Sequence, residues 1–242
     1  MTSPEQPRAT GRAAARRPLS RSRIVETAIS LIDTEGVSAL TMRRLGATLD
    51  VEAMALYRHV NGREDLLEAV VDELVDSIEI PAAVDLQPVD GWQAFLQVLA
   101  HNVRRVAIAH PAAFPLIATR HPAAPWLRPP LRSLRMVEAF LTGLEARGFS
   151  ERQAVAAYRS FTSFLLGHLL LEAAMQGAPL APAEEPLDEG DATLSNRDAE
   201  LDVSEFPVVA RLREPLAEDH TDEEFETALE HLLVRLDLEN AQ

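Results

Sequence analysis

Thr41-Met42-Arg43-Arg44-Leu45-Gly46-Ala47-Thr48-Leu49-Asp50-Val51-Glu52-Ala53-Met54-Ala55-Leu56-Tyr57-Arg58-His59-Val60 divides into two short helices around a tight turn. Thr41 is an N-capping residue type, and Arg44, Leu45, Thr48 and Leu49 follow it as one helix. Asp50 stands at the turn, where a short polar side chain tolerates a left-handed backbone better than most residues. A second short helix runs through Tyr57. This is the outline of a helix-turn-helix, whose second helix enters the major groove of DNA.

Working outward, Ser20 reads as an N-cap, and Ile24, Val25, Ala28, Ile29, Leu31 and Ile32 form an apolar helical stripe stopped by Gly36. After the Asn61-Gly62 break, a longer helix is expected over Glu64 to Glu79, with Leu66, Leu67, Val70, Val71, Leu74 and Val75 on its buried side. Pro81 ends it. The chain thus divides into a flexible Arg-rich arm (1–18), a three-helix head (19–80) and a helical body (81–242) entered through a Pro-containing linker at 81–90. In the body, helices are expected over Gly91 to Ala109, Leu131 to Arg147, Ser150 to about Gln176 and Phe206 to Leu216. A last one follows Thr221, with Thr221 and Glu224 as its capping box. Residues 178–202, polar and acidic, are expected to be a mobile loop. No strand alternation occurs, so the fold class is all-α.

Composition narrows the chemistry. The chain has 242 residues, no cysteine, and arginine as its sole strong base, with a net charge of −15. Residues 1–62 carry nine Arg against six acidic residues, whereas residues 181–242 carry four against nineteen. A basic front on an acidic body concentrates any attraction for a polyanion at the N-terminal front of the chain. Without cysteine there is no disulfide, thiolate site or thiol nucleophile. No apolar run approaches the ~20 residues of a membrane span and no secretory leader is recognisable, so a cytoplasmic protein with no membrane partner is expected. An all-α enzyme is the remote alternative. No His follows a Glu at the spacing of a di-metal bundle, and there is neither a phosphate-binding Gly loop nor a Gly-x-Ser-x-Gly elbow. Neither a resident metal nor a cofactor is expected. A protein-interaction module or degenerate head without specific DNA binding is the other alternative.

Leu19 to Val75 resembles the DNA-binding head of the TetR family of bacterial repressors. The likeness rests on Glu35-Gly36, Leu40-Thr41, Arg43, Leu45, Leu49, Val51, Leu56-Tyr57, His59-Val60 and Leu66-Leu67. The resemblance implies a ligand-responsive regulator that binds a palindromic operator in double-stranded DNA as a homodimer. It places Arg43 at guanine edges in the major groove and Thr41, Tyr57, His59 and Arg63 at phosphates. Ala53, Met54 and Ala55 lie where bases are read but offer only methyl contacts to thymine. Arg43 and Arg58 are therefore left with most of the polar readout.

Gly91-Trp92-Gln93-Ala94-Phe95-Leu96, Arg104-Arg105, Ala118-Thr119-Arg120 and Gly148-Phe149-Ser150 resemble the tetracycline-repressor type of C-terminal domain. The drug-binding chemistry does not follow. Leu116, Leu99 and Leu171 stand where that type has His, Asn and Glu, and only Thr119 and Arg120 match. A magnesium chelate needs oxygen and nitrogen ligands, so a more apolar effector is expected. The expected pocket residues are Leu99, Val103, Leu116, Thr119, Arg120, Phe140, Tyr158, Phe161, Thr162, Leu165 and His168. Each has core packing as its alternative. The expected dimer seam combines the helices near 151–176 and 221–238.

Overall fold

The computed structural model describes residues 18–80, 91–120, 126–129, 133–178 and 205–240. Every regular element among them is helical. Nearly all of the expected arm, the 81–90 linker and nearly all of the expected acidic loop lie outside the described residues.

The head begins with α1 (Arg21–Glu35), capped by the Ser20 hydroxyl, which accepts from the Arg23 N–H. Its buried residues are the expected stripe from Ile24 to Ile32. Gly36 takes a positive φ of 84° and returns its N–H to the Ile32 carbonyl, which ends the helix. One 3₁₀ turn (Val37–Ala39) leads to α2 (Met42–Leu49), where the Thr41 hydroxyl accepts from the Arg44 N–H at 3.1 Å. Asp50 adopts the left-handed conformation expected of it, with φ 56° and ψ 47°.

The next helix, α3 (Ala53–Leu56), is a single turn and shorter than expected. The His59 and Val60 N–H groups still donate to the Leu56 carbonyl, so the chain keeps turning beyond it. Helix α4 (Arg63–Asp76) starts one residue earlier and ends three earlier than the sequence predicts. Glu64 and Asp65 favour its positive N-terminal end. Leu40, Leu45, Leu56, Leu66 and Leu67 are fully buried at the centre of the head.

The body comprises α5 (Gly91–Ala109), α6 (Pro115–Thr119), α7 (Leu134–Glu145), α8 (Glu151–Met175), α9 (Pro207–Arg211), α10 (Arg213–Ala217) and α11 (Thr221–Asn240). The single helix expected over Phe206 to Leu216 is broken at Leu212. The described part of the helix expected from Leu131 begins at Leu134, capped by Ser133. Ser150 and Gln153 form a reciprocal capping box for α8. The start of α11 departs from expectation: the Asp219 carboxylate accepts from both the N–H and the hydroxyl of Thr221, at 3.1 and 2.7 Å. Asp219 thereby organises the turn assigned to the Thr221/Glu224 box.

Helix α8 is the axis of the body and packs against α5, α7 and α11. By length and composition it is apolar enough to cross a membrane. Its inner face is instead occupied by neighbouring helices, with Ala154, Ala157, Phe161, Leu165 and Leu169 buried. Buried Arg104 of α5 holds Glu172 of α8 through two hydrogen bonds of 3.1 and 2.9 Å and reaches Asp222 of α11 at 2.5 Å. Its guanidinium also lies 4.6 Å from the Phe225 ring centre. This pairing fixes three helices in register. Removing Arg104 or Glu172 would strand a buried charge, at a cost of about 3–5 kcal/mol, whereas Asp222 is exposed.

One close approach shapes the head. A Cβ on Gly46 would lie 2.9 Å from the Val51 carbonyl oxygen and 3.2 Å from the Ala53 nitrogen. Gly46→Ala is therefore expected to push α2 and α3 apart and destabilise the head by about 1–3 kcal/mol. Asp50→Val, a β-branched residue in a left-handed position, should cost about 1–2 kcal/mol. Thermal unfolding of both variants checks the two figures.

Candidate nucleic-acid interface and buried chamber

The arginines of the head fall into two groups. Arg44 grips Glu35 through two nitrogens. Arg21 donates to the His59 carbonyl at 2.8 Å and pairs with Asp65. Arg63 is turned inward, donating to the carbonyls of Leu40 at 2.9 Å and Val37 at 3.2 Å, and its remaining nitrogen faces Glu64. That geometry makes Arg63 a strut between α4 and the segment before α2, so the phosphate contact implied for it is not supported. The signal was faint: an Arg at a helix start is as suitable for reaching unpaired carbonyls as for meeting a phosphate.

Arg43 and Arg58 differ from these. Both are exposed, and neither has a hydrogen bond or ion pair to any described residue. Met54 is 74% exposed and Tyr57 47%. Met54, Tyr57 and Arg58 are three and four residues apart, on one side of the turn that carries them. Ala53, Ala55 and His59 are half-buried, and Thr41 is exposed while it caps α2. Two unpaired guanidiniums beside an exposed Met and Tyr provide ionic and apolar contacts together, as a groove lined by phosphates and thymine methyls requires.

The body encloses a chamber. Leu99 and Val103 of α5, Phe140 of α7, and Tyr158, Phe161, Thr162 and Leu165 of α8 line it. Leu116 is buried but stands outside the lining. Thr119 uses its hydroxyl within α6, donating to the Pro115 carbonyl. Arg120 points to the head, where it pairs with Glu64 at 2.7 Å and Glu68 at 3.1 Å. His168 packs against Phe164 and Phe225, with ring centres 5.8 and 5.4 Å away. These four lie outside the chamber lining, and the polar groups of Thr119 and Arg120 serve contacts within and between helices.

The sequence reading missed part of the wall: Phe114 and Ile117 around α6, Met136 of α7, Leu166 of α8 and, above all, Val75, Ile78 and Ile80. Val75 is in α4, and Ile78 and Ile80 directly follow it. The available signal was two isoleucines continuing the apolar pattern past Asp76, beyond what the head core needs.

The space between these side chains is narrow, a cavity of only about 60 Å³. Phe140 sits among Phe95, Tyr158 and Phe161 at ring separations of 6.3, 5.8 and 5.5 Å. The Tyr158 hydroxyl donates to the Pro129 carbonyl at 2.9 Å, and burial pushes its pKa up to about 12. Leu171, placed by resemblance where a drug-binding Glu would stand, is exposed, and the adjacent Glu172 is held by Arg104. Among the described residues no group of three His, Asp or Glu is placed to hold a metal ion. The chamber thus does not suit a magnesium chelate, which needs hard oxygen ligands.

Head and body meet along α4 and α1. Besides Arg120, Arg135 pairs with Asp76, Asn102 donates to the Glu79 carbonyl at 2.7 Å, and His110 meets Asp33 at 2.8 Å.

Residues 24–70 match the model of the bacterial regulatory proteins of the tetR family, and residues 86–236 that of the tetracyclin repressor-like C-terminal domain. The chain is 30% identical over 154 residues to an HTH-type transcriptional regulator of Saccharopolyspora erythraea, a stretch covering 64% of this chain and 61% of that relative. It is also 30% identical over 175 residues to the class D tetracycline repressor protein of Escherichia coli, covering 69% and 74% of the two chains. A crystal structure of a possible TetR family transcriptional regulator from Streptomyces coelicolor A3(2) superposes with a TM-score of 0.67 at 31% identity. That match covers 90% of this chain and 99% of the other.

The ion pairs within the head carry a pH dependence. Arg44 lowers the pKa of Glu35 below its ordinary 4.5, and Arg21, aided by the Asn61 N–H, lowers that of Asp65 below 3.8. Folding therefore favours the charged carboxylates. Their stabilisation is complete above those ordinary values and is lost as pH falls through the depressed ones. Thermal melts taken from pH 6 to about pH 2.5 should show stability falling below about pH 4.5. The slope should be shallower in the Glu35→Gln, Asp65→Asn double variant.

Proposed function

The chain belongs to the tetR family of bacterial regulatory proteins, and we propose that it is a cytoplasmic, homodimeric repressor released from a palindromic operator by a small, largely apolar effector. The observation that carries the effector response is the double use of α4. Its residues from Leu66 to Leu74 are part of the head core, while Val75 and the following Ile78 line the chamber. An effector that widens the chamber bears on the segment that positions the head. Arg120 and Arg135 tie α6 and α7 to the same helix.

In this reading Arg43 and Arg58 supply the polar base contacts and Met54 and the neighbouring alanines the methyl contacts. Thr41, Tyr57 and His59 anchor the backbone of the DNA. Two heads about 34–36 Å apart enter successive major grooves. The effector lowers DNA affinity by binding the released arrangement more tightly, and the shift is limited to that difference in affinity.

The dimer is formed through α8 and α11. Leu171 and Met175 at the end of α8 are 64% and 69% exposed, and Val234 and Leu238 of α11 are also exposed. A second copy would cover both faces by two-fold symmetry. The same covering accounts for the membrane-like composition of α8 without a membrane.

A gel-shift titration against the chain's own upstream region should give a specific complex that weakens steeply as salt rises. Arg43→Ala is expected to cost about 1–3 kcal/mol on the preferred sequence and to relax discrimination. Tyr57→Phe should weaken all sequences evenly, and the reverse pattern would exchange the two roles. Sedimentation should show a dimer in the native chain and a shift toward monomer in the Leu171→Glu, Met175→Glu double variant. A native chain that sediments as a monomer would remove the seam.

A further inference from the structure

A second cavity adjoins the chamber. It is a groove between the N-terminal halves of α7 and α8, about 350 Å³ of which admits the centre of a water molecule. Tyr158 lines both spaces. Leu134, Val137 and Val155 contribute apolar surface to the groove. Trp126 stands at its rim with 73% of its surface exposed, and a flat ring left in water is a stacking surface.

The charges differ from those of the rest of the protein. Arg128 and Arg159 line the groove against one carboxylate, Glu138, in a chain whose net charge is −15. Arg128 donates to the Leu127 carbonyl. Arg159 is exposed and has no hydrogen bond or ion pair to any described residue. The chamber contains no charged side chain, and its polar groups are the hydroxyls of Tyr158 and Thr162. An ionic group on an effector would lose its hydration there without a partner. In the groove it would meet a guanidinium at once.

We propose that chamber and groove form one two-part site for an amphipathic aromatic anion. Its apolar body lies in the chamber and its acidic group in the groove against Arg159, beside the ring of Trp126. The proposal rests on the effector reading above and narrows it to a chemical class. Glu138, on the opposite wall, disfavours an anion against α7 and so directs it to α8.

The test uses the full chain and two probes that differ by one charged group: anilinonaphthalene sulfonate and its neutral parent phenylnaphthylamine. Binding is followed by probe emission and by quenching of Trp126, with Trp126→Phe separating its signal from that of Trp92. The anion should bind at least about fivefold more tightly than the neutral probe, as a partly buried charged hydrogen bond allows. Arg159→Gln should bring the two within about twofold while leaving the neutral probe unchanged, Arg159→Lys should keep most of the preference, and Glu138→Gln should increase it.

Equal affinities in the native chain, or a preference that survives Arg159→Gln, would overturn the proposal. Leu165→Phe, which fills the chamber, separates the two readings. If it weakens both probes while their affinities are equal, the groove assignment fails and the effector chamber stands. If it affects neither probe, or if neither binds at all, the chamber reading fails as well.

Discussion

One helix serves two cores, and the rest of the protein depends on that constraint. Leu66, Leu67, Val70, Val71 and Leu74 of α4 are buried in the head. Directly after Leu74, Val75 and then Ile78 form part of the wall of the chamber. Close-packed interiors respond to altered shape by discrete repacking and not by smooth compression. The two cores therefore cannot change independently at their junction. The ion pairs from Arg120 to Glu64 and Glu68 bind the opposite end of α4 to α6, so the helix is held to the body near both ends.

Electrostatics performs a sorting within a small region. Three of the six arginines of the head serve its own architecture: Arg44 on Glu35, Arg21 on Asp65, and Arg63 on two carbonyls. Pairing fixes these side chains and lowers their availability to a polyanion. Arg43 and Arg58 are exposed and make no such contact with any described residue. In a chain this acidic, whose head (19–80) itself carries six Arg against twelve acidic residues, long-range attraction to a polyanion is weak, so contact specificity carries more of the work than general charge does.

The sequence was most informative where chemistry is local. Ser20 and Thr41 cap their helices, Gly36 ends one, and Asp50 takes the left-handed turn, because each outcome depends on a few neighbouring backbone groups. The apolar stripe of α1 was legible for the same reason. What the sequence concealed lies in contacts between distant segments. Nothing near Arg63 announces the carbonyls of Val37 and Leu40, and nothing near His168 announces the Phe225 ring. Gly46 looks like an ordinary helical glycine until α3 is packed on it. For the chamber, helical spacing identified most of the α8 wall but could not distinguish it from core. The contribution of the segment following α4 required the head and body to be placed together.

The narrowness of the chamber bears on dose as well as on affinity. If the walls stand close together most of the time, a ligand meets a receptive protein only in the fraction of molecules whose walls have parted. The concentration for half-response is then the intrinsic dissociation constant divided by that fraction. Trimming a wall residue such as Ile78 or Phe161 would make the open form commoner and move the response to lower concentration without adding a contact. Sensitivity in such a protein is set by the packing of the empty state, so relatives with the same contacts to the same ligand can still respond at very different thresholds.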